Sequence, residues 1–226
     1  DLHPALAWCS DGHRTIARIA HANVAPHTRA AIARLLAHQA LLKTPACPAR
    51  DLTQAAVWAD CVKQLGDRFR YQFDWHFQDI ELCRPFDLKS ACRGGNCVSA
   101  QIEREVKQLE DKQAPEREKV EALVLLTHFV GDLHQPLHSA DHHDAGGNDV
   151  AMTYAGAPDA RLNLHMVWDG YLARRAIAAS PGLVHPYGAA QRRKLAAGTV
   201  RDWSRESWEI ARKYAYPTAL GAHFCT

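Results

Sequence analysis

One stretch constrains this chain more than any other: Thr127-His-Phe-Val-Gly-Asp-Leu-His-Gln-Pro-Leu-His138. It continues the apolar run from Val120 to Leu126, so it reads as the buried end of a helix. His128 and Asp132 stand four residues apart, which puts an imidazole and a carboxylate on one helical face. Pro136 ends or kinks the helix, and His138 is delivered from just beyond it. A single His or Asp in a core is usually satisfied by a hydrogen bond. Three such groups in one apolar helix end must all be satisfied, and a metal ion does so most economically. His134, two residues from Asp132, faces elsewhere and is not counted with them.

With 226 residues and 47% hydrophobic content the chain is long enough for a proper core. A formal charge of +2 offers no basic surface that would attract nucleic acid by itself, so such a partner would be held by metal ions and stacking. Fourteen histidines agree with metal ligation, and no apolar run approaches the length of a membrane span. The seven cysteines lack C-x-x-C pairs and read as disulfides formed in an oxidising compartment, with Cys9 left over. Cys92 and Cys97 flank the turn sequence Arg-Gly-Gly-Asn and could close a short loop. Ala5-Leu6-Ala7 before Trp8 resembles an export-processing site, so residues 1–7 are expected to be a signal-peptide remnant or a tail.

The pattern elsewhere is mainly helical. Helices are expected over Ile16–Ala22, from Pro26 through Thr28–Leu42, from an Asp51 cap to about Leu65, and from Asn96 or Ser99 to about Lys112. The central helix should begin with Glu116 in its first turn. Arg68 to Pro85, with Phe69, Tyr71, Phe73, Trp75 and Phe77 alternating, suggests a strand or extended loop. Residues 139–162 form a long polar loop around Gly146-Gly-Asn148, with a small hairpin near Val150–Tyr154. Helices then follow over Leu162–Ile177 and roughly Gln191–Ala215, with Trp203 and Trp208 as core aromatics and an irregular end. The expectation is a mainly α, single-domain protein over residues 8–226 with long loops.

Candidate ligands come from separate places: His13, Asp60, His76, then His128, Asp132 and His138, and finally His165 and Asp169 at the same i, i+4 spacing. Nitrogen and oxygen donors of this kind suit zinc in a site with open positions. Eight ligands exceed the needs of one tetrahedral ion, so two or three ions follow if the groups cluster, a carboxylate bridging a close pair.

In order along the chain, Trp8-x4-His13, Trp58-Ala-Asp60, Asp74-Trp-His76-Phe, the central T-H-x3-D-x5-H, Gly146-Gly-Asn148 and Asn163-Leu-His165-x3-Asp169 resemble the zinc-dependent single-strand-specific nucleases, the type I nuclease/3'-nucleotidase family. The resemblance implies a helical phospholipase C/nuclease-type fold with a trinuclear zinc cluster. Asp60, His76 and His128 would hold one ion and Asp132 would bridge to a second, completed by His13 and by the free amine and carbonyl of an N-terminal Trp8. His138, His165 and Asp169 would hold the third. Zinc-activated hydroxide, oriented by Asp60, would hydrolyse RNA and single-stranded DNA to 5'-phosphate products, with 3'-nucleotidase activity.

The family has an arginine three residues after the Trp-Ala-Asp carboxylate; here Lys63 stands there, supplying charge without a bidentate fork. Phe77 and Asp79 match the positions that stack on and hydrogen-bond a base, and Asn148 is a further base contact. On the residues alone Phe77 reads as a core aromatic; Asn148 could be a turn residue and Lys63 a surface lysine. The resemblance also pairs Cys92 with Cys97 and Cys83 with Cys225, leaving Cys47 with Cys61. A secreted or periplasmic monomer is implied. A zinc-dependent phospholipase C is the alternative, although that sibling carries glutamate where Asp169 stands. A non-catalytic zinc-binding protein is the other.

Overall fold

The computed structural model describes residues 8–157 and 161–225. The expected processing site at Ala5–Ala7 lies outside the described residues. The spine is the helix Glu116–Leu133, whose first-turn Glu116 and Glu118 complement the positive end of the helix dipole. Its Val120, Val124, Phe129 and Leu133 are fully buried. They pack with Trp58, Val62, Phe69, Val98 and Ile102 in the main hydrophobic cluster. The charged helix Val98–Glu110 lies along the spine and buries one face there. A second cluster gathers Ile80, Leu82, Leu137, Leu164, Trp208 and Tyr216. The chain passes from one cluster to the other between Leu133 and Leu137, which makes the end of the spine helix a junction between two cores.

The remaining elements follow the expected order with instructive departures. The first helix starts earlier than expected, at Ser10, and runs to Asn23. Pro26–Leu36 is a helix with proline in its first turn, and a 3-10 turn over Gln39–Leu42 follows. Asp51 does cap a helix, accepting a hydrogen bond from the Gln54 amide at 2.9 Å. That helix, Leu52–Ala55, stops where Val57 leaves helical dihedrals, and a new one runs over Trp58–Val62. The break leaves the Ala56 carbonyl outside a regular helical ladder.

The largest correction concerns the aromatic stretch. Asp67–His76 is a 3-10 helix, not a strand. Alternating aromatics suggested a period of two, but a 3-10 helix repeats every three residues. Phe69 and Gln72 are buried and Trp75 half-buried, three residues apart, while Tyr71 and Phe73 face outward. Extended backbone begins only at Phe77, and 78–82 then pairs with 138–141 through Gln78, Leu82 and Asp141 amides.

The hairpin forms between Ala151–Met152 and Leu162–Asn163, so the next helix begins at Leu164, where the Asn163 side chain caps the Met166 amide. That helical run continues as a π-helical turn over Val167–Leu172 and a helix over Ala173–Ala178. The C-terminal region is not one helix with an irregular end. Ala189–Leu195 is separated from Val200–Ile210 by a Thr199–Asp202 capping box, and helical structure continues through Ala211–Ala215 to Tyr216–Leu220. Trp208 is buried in the second cluster, while Trp203 is half-buried against the first. Among the described residues, no helix is long and apolar enough to cross a membrane.

Disulfides join Cys47 to Cys61, Cys83 to Cys225 and Cys92 to Cys97, and Cys9 is free. The second bridge spans 142 residues and the third only 5. Loop-closure entropy then makes the long bridge worth about 3 kcal/mol more than the short one. Paired Cys83→Ser and Cys225→Ser should accordingly lower the denaturation free energy by about that much more than Cys92→Ser with Cys97→Ser, as read from urea titrations.

Candidate metal centre and cleft

Asp132 sits in the last turn of the spine helix with none of its surface exposed. Its Oδ1 lies 3.2 Å from His13 Nε2, and its Oδ2 lies 2.9 Å from His76 Nδ1 and 3.1 Å from His128 Nε2. Asp60 faces the same two imidazoles from the other side, its Oδ1 3.8 Å from His76 Nδ1 and 3.6 Å from His128 Nε2. His138 and His165 bring their Nε2 atoms within 3.1 Å of each other, and Asp169 Oδ2 lies 3.1 Å from His165 Nε2. Three groups with metal-binding geometry result: His13, His128 and Asp132; Asp60, His76 and His128; and His138, His165 and Asp169. The sequence-predicted side-chain ligands are thus all brought together. His138 Nδ1 lies 3.9 Å from Asp132 Oδ1, so the third group adjoins the others.

The backbone aims these rings. His128 Nδ1 contacts the Ala56 carbonyl at 2.7 Å, His138 Nδ1 the His76 carbonyl at 2.8 Å, and His165 Nδ1 the Gly146 carbonyl at 2.7 Å. An Nδ1–H donated to a carbonyl fixes the tautomer and leaves Nε2 free to bind a cation. Each aiming carbonyl comes from an irregular piece of backbone: the break after Ala56, the end of the 3-10 helix, and the loop at Gly146. Gly146 has φ +62°, and a Cβ there would stand 2.6 Å from the Leu137 carbonyl oxygen. Gly131 is equally constrained, since a Cβ would come within 2.8 Å of His13 Nδ1.

The charges suit a cation. His13 Nδ1 and Nε2, His76 Nε2, Asp132 Oδ1 and Asp169 Oδ2 are buried yet lack a hydrogen-bond partner in the structure. Buried polar atoms are rarely orphaned, and five of the nine such side-chain atoms among the described residues belong to these three groups. Burial pushes the Asp60 carboxyl up, but His128, Lys63 and His76 together outweigh it and bring it down to about 2. Asp132 is likewise held well below the usual carboxylate range, since His128, His13 and His76 overcome its desolvation. Burial, reinforced by Lys63, brings His76 down to about 3. His128 differs: burial lowers it, but Asp132 and Asp60 raise it further, so metal binding, which needs ionised carboxylates and neutral imidazoles, would displace its proton. No side-chain thiolate joins the three groups, so the donor set fits zinc with an exchangeable position better than a closed structural site.

A cleft of about 390 Å³ opens over these groups, lined by Lys63, Phe77, Asp79, His138, Asn148 and His165. Lys63 turns inward, its Nζ 2.9 Å from Asp60 Oδ1. Phe77 is half-buried at the wall, its ring edge-on to Phe73 at 6.5 Å. Burial, then the charges of Asp141 and Asp74, push the Asp79 carboxyl up to about 6. Asn148 lines the cleft while its amide donates to the Ala145 carbonyl at 2.8 Å and its oxygen accepts from Asn163 at 3.3 Å. Trp8 is anchored beside His13, its indole donating to the Gly131 carbonyl at 2.8 Å.

Several supporting residues escape sequence reasoning. Gln135, fully buried, donates to Asp169 Oδ1 and takes the Leu137 amide. The Asp141 and Asp144 carboxylates gather the amides of the 143–147 loop, and Tyr216 donates to Asp144 at 2.7 Å. A glycine inside an apolar helix, at Gly131, was the available signal for close packing; Gln135 offered none. His142 is half-buried between Tyr216 and Phe224. His143 is exposed and pairs with Glu81. His134 indeed points away, toward Trp203.

Residues 8–223 match the family model described as S1/P1 Nuclease. Among similar proteins, Endonuclease 3 of Arabidopsis thaliana is 28% identical over 96% of this chain and 78% of its own length. Nuclease S1 of Aspergillus oryzae is 28% identical over 89% of this chain and 67% of its own, and Nuclease P1 of Penicillium citrinum is 29% identical over 75% and 60%.

The geometry predicts unequal consequences of losing a carboxylate. Asp132 reaches His13 through Oδ1 and His76 of the neighbouring group through Oδ2, whereas Asp169 reaches only its own group, so Asp132→Ala should lower the bound metal per chain about twice as much as Asp169→Ala. Mass-spectrometric metal analysis after gel filtration checks this, and equal losses would contradict a shared carboxylate.

Proposed function

The chain belongs to the S1/P1 nuclease family, and from that premise we propose that it is a zinc-dependent endonuclease acting on RNA and single-stranded DNA, leaving 5'-phosphates and also removing 3'-phosphates from nucleotides. The observation that carries the reading is the convergence of Asp60, His76 and His128 on one point, with His128 shared with the His13 and Asp132 group, Asp132 in contact with His76, and a cleft lined by His76 above. Asp60, His76 and His128 would hold the first of three zinc ions. Asp132 would reach both this ion and a second, held also by His13 and by the backbone amine and carbonyl of Trp8. His138, His165 and Asp169 would hold the third. Bound there, zinc supplies Lewis acidity, polarising phosphoryl oxygens and making water nucleophilic at neutral pH.

The protein's own groups do the rest. Asp60, kept ionised by its cationic neighbours, orients the attacking water by accepting its hydrogen bond. Lys63, 2.9 Å from Asp60 at the cleft wall, places a positive charge against the phosphate. Phe77 offers a face on which a base stacks, and Asp79 offers its carboxyl to the base edge. Asn148 closes the cleft opposite, with its amide partly committed to the loop. Stacking requires a base free of its duplex, which accounts for single-strand preference in a chain without a basic groove. Three disulfides favour an oxidising location, secreted or periplasmic. The protein acts as a monomer in this reading.

The test is hydrolysis of single-stranded DNA and RNA, with phosphatidylcholine in parallel, before chelation, after it, and after zinc is returned. Zinc-restored cleavage to 5'-phosphate ends is expected; cleavage of the lipid alone would replace this reading with phospholipase activity. Lys63→Ala should lower kcat by about a hundredfold with metal content unchanged, and Lys63→Arg should restore most of it. An unaltered kcat in Lys63→Ala would remove that lysine from the phosphate site.

A further inference from the structure

The 3-10 helix Asp67–His76 repeats every three residues, so its side chains fall into three rows. Phe69, Gln72 and Trp75 turn toward the core, and Arg68, Tyr71 and Asp74 toward solvent on the far side. Asp67, Arg70, Phe73 and His76 form the third row, which ends at a metal-group imidazole. The cavities follow this row. Phe73 and His76 both line the cleft above the metal groups. Asp67, Arg70 and Phe73 line a shallower groove of about 210 Å³, together with Gly66 and Phe69. Lys63 and Phe73 belong to both, so they form the sill between the cleft and the groove.

Phe73 is 52% exposed. Leaving a phenyl ring in water is unfavourable by itself, and here the ring stands beside two cations. Lys63 Nζ is 5.7 Å from its centroid. Arg70, one turn back, is 84% exposed and only loosely paired with Asp67 at 3.7 Å. Such an exposed ion pair is worth little, so its guanidinium is available to a phosphate. An open aromatic face between cations, at the mouth of a phosphodiesterase cleft, is the chemistry that holds single-stranded nucleic acid.

We propose that Phe73 is a second base-stacking position, with Arg70 contacting the adjoining phosphate, so that the strand crosses the sill at Lys63 and one further nucleotide lies in the groove over Gly66–Arg70. This rests on the nuclease reading above. It adds a specificity determinant: the enzyme favours strands longer than the single phosphodiester it cuts.

The test uses the zinc-loaded full chain and a thymidine tetranucleotide with one phosphodiester and phosphorothioates elsewhere, in its intact form and with each base removed in turn. Removing one particular base should raise the wild-type KM about tenfold, the scale of one base–aromatic stack. Phe73→Ala should raise the KM of the intact strand by a similar factor, and loss of that same base should then cost nothing more. Phe73→Tyr should recover the wild-type pattern, and Arg70→Ala should flatten the salt dependence of KM. Additive effects of base removal and Phe73→Ala, or an unchanged KM in Phe73→Ala, would overturn the proposal. Failure of the wild-type enzyme to cut any strand would be a different result: the nuclease reading would fall, and this subsite with it.

Discussion

A buried carboxylate with three imidazoles around it is the constraint on which this structure depends. Asp132 has no solvent-exposed surface, and an ionised group in such a place is costly unless it is matched by positive charge. His13, His76 and His128 reach it from three different elements, and each would leave it undercompensated alone. Much of the architecture can be understood as delivering those elements to one point. The first helix brings His13, the 3-10 helix ends on His76, and the spine supplies His128 and Asp132 one turn apart. The geometry that could hold metal is therefore inseparable from the core packing: the residues beside His128 and Asp132, Phe129 and Leu133, are themselves fully buried.

The junction between the two hydrophobic clusters explains why the third group can stand so near the first two. Leu133 belongs to one cluster and Leu137 to the other. The turn between them, held by Gln135, delivers His138 within 3.9 Å of Asp132 and beside His165 on a helix of the second cluster. Cations bound here would stabilise the junction as well as serve chemistry, since they would prefer the state in which both clusters are assembled.

How much of this was legible in the sequence depended on whether the relevant signal was local. His128 with Asp132, and His165 with Asp169, could be read because helical periodicity puts residues four apart on one face, and this held even though Asp169 lies in a π-helical turn. His13, Asp60 and His76 could be placed only by their order and neighbours, because their convergence is a tertiary fact. The 3-10 helix differs from the expected strand for a physical reason: its alternating aromatics imitate a strand, and only the burial of polar Gln72 among them betrays the period of three. Aiming carbonyls and the amide of Gln135 were invisible, since any residue supplies a carbonyl and a lone glutamine carries no pattern. The C-terminal end is helical rather than irregular, and Pro217 is accommodated because it occupies the first turn of Tyr216–Leu220, where its missing amide is not needed.

The 3-10 helix has a consequence for how this molecule tolerates change. Each added or deleted residue in 67–76 turns the following side chains by about 120°. A one-residue deletion upstream of Phe73 would move that ring from the cleft row to the core row, Trp75 from the core row to the solvent row, and His76 away from the metal groups. Point substitutions on the solvent-facing row disturb a single contact, but a frame change of one exchanges inside for outside. The segment is therefore freest to vary in residue type along that one row and rigid in length, a combination usually associated with strands pinned in a sheet rather than with a surface helix.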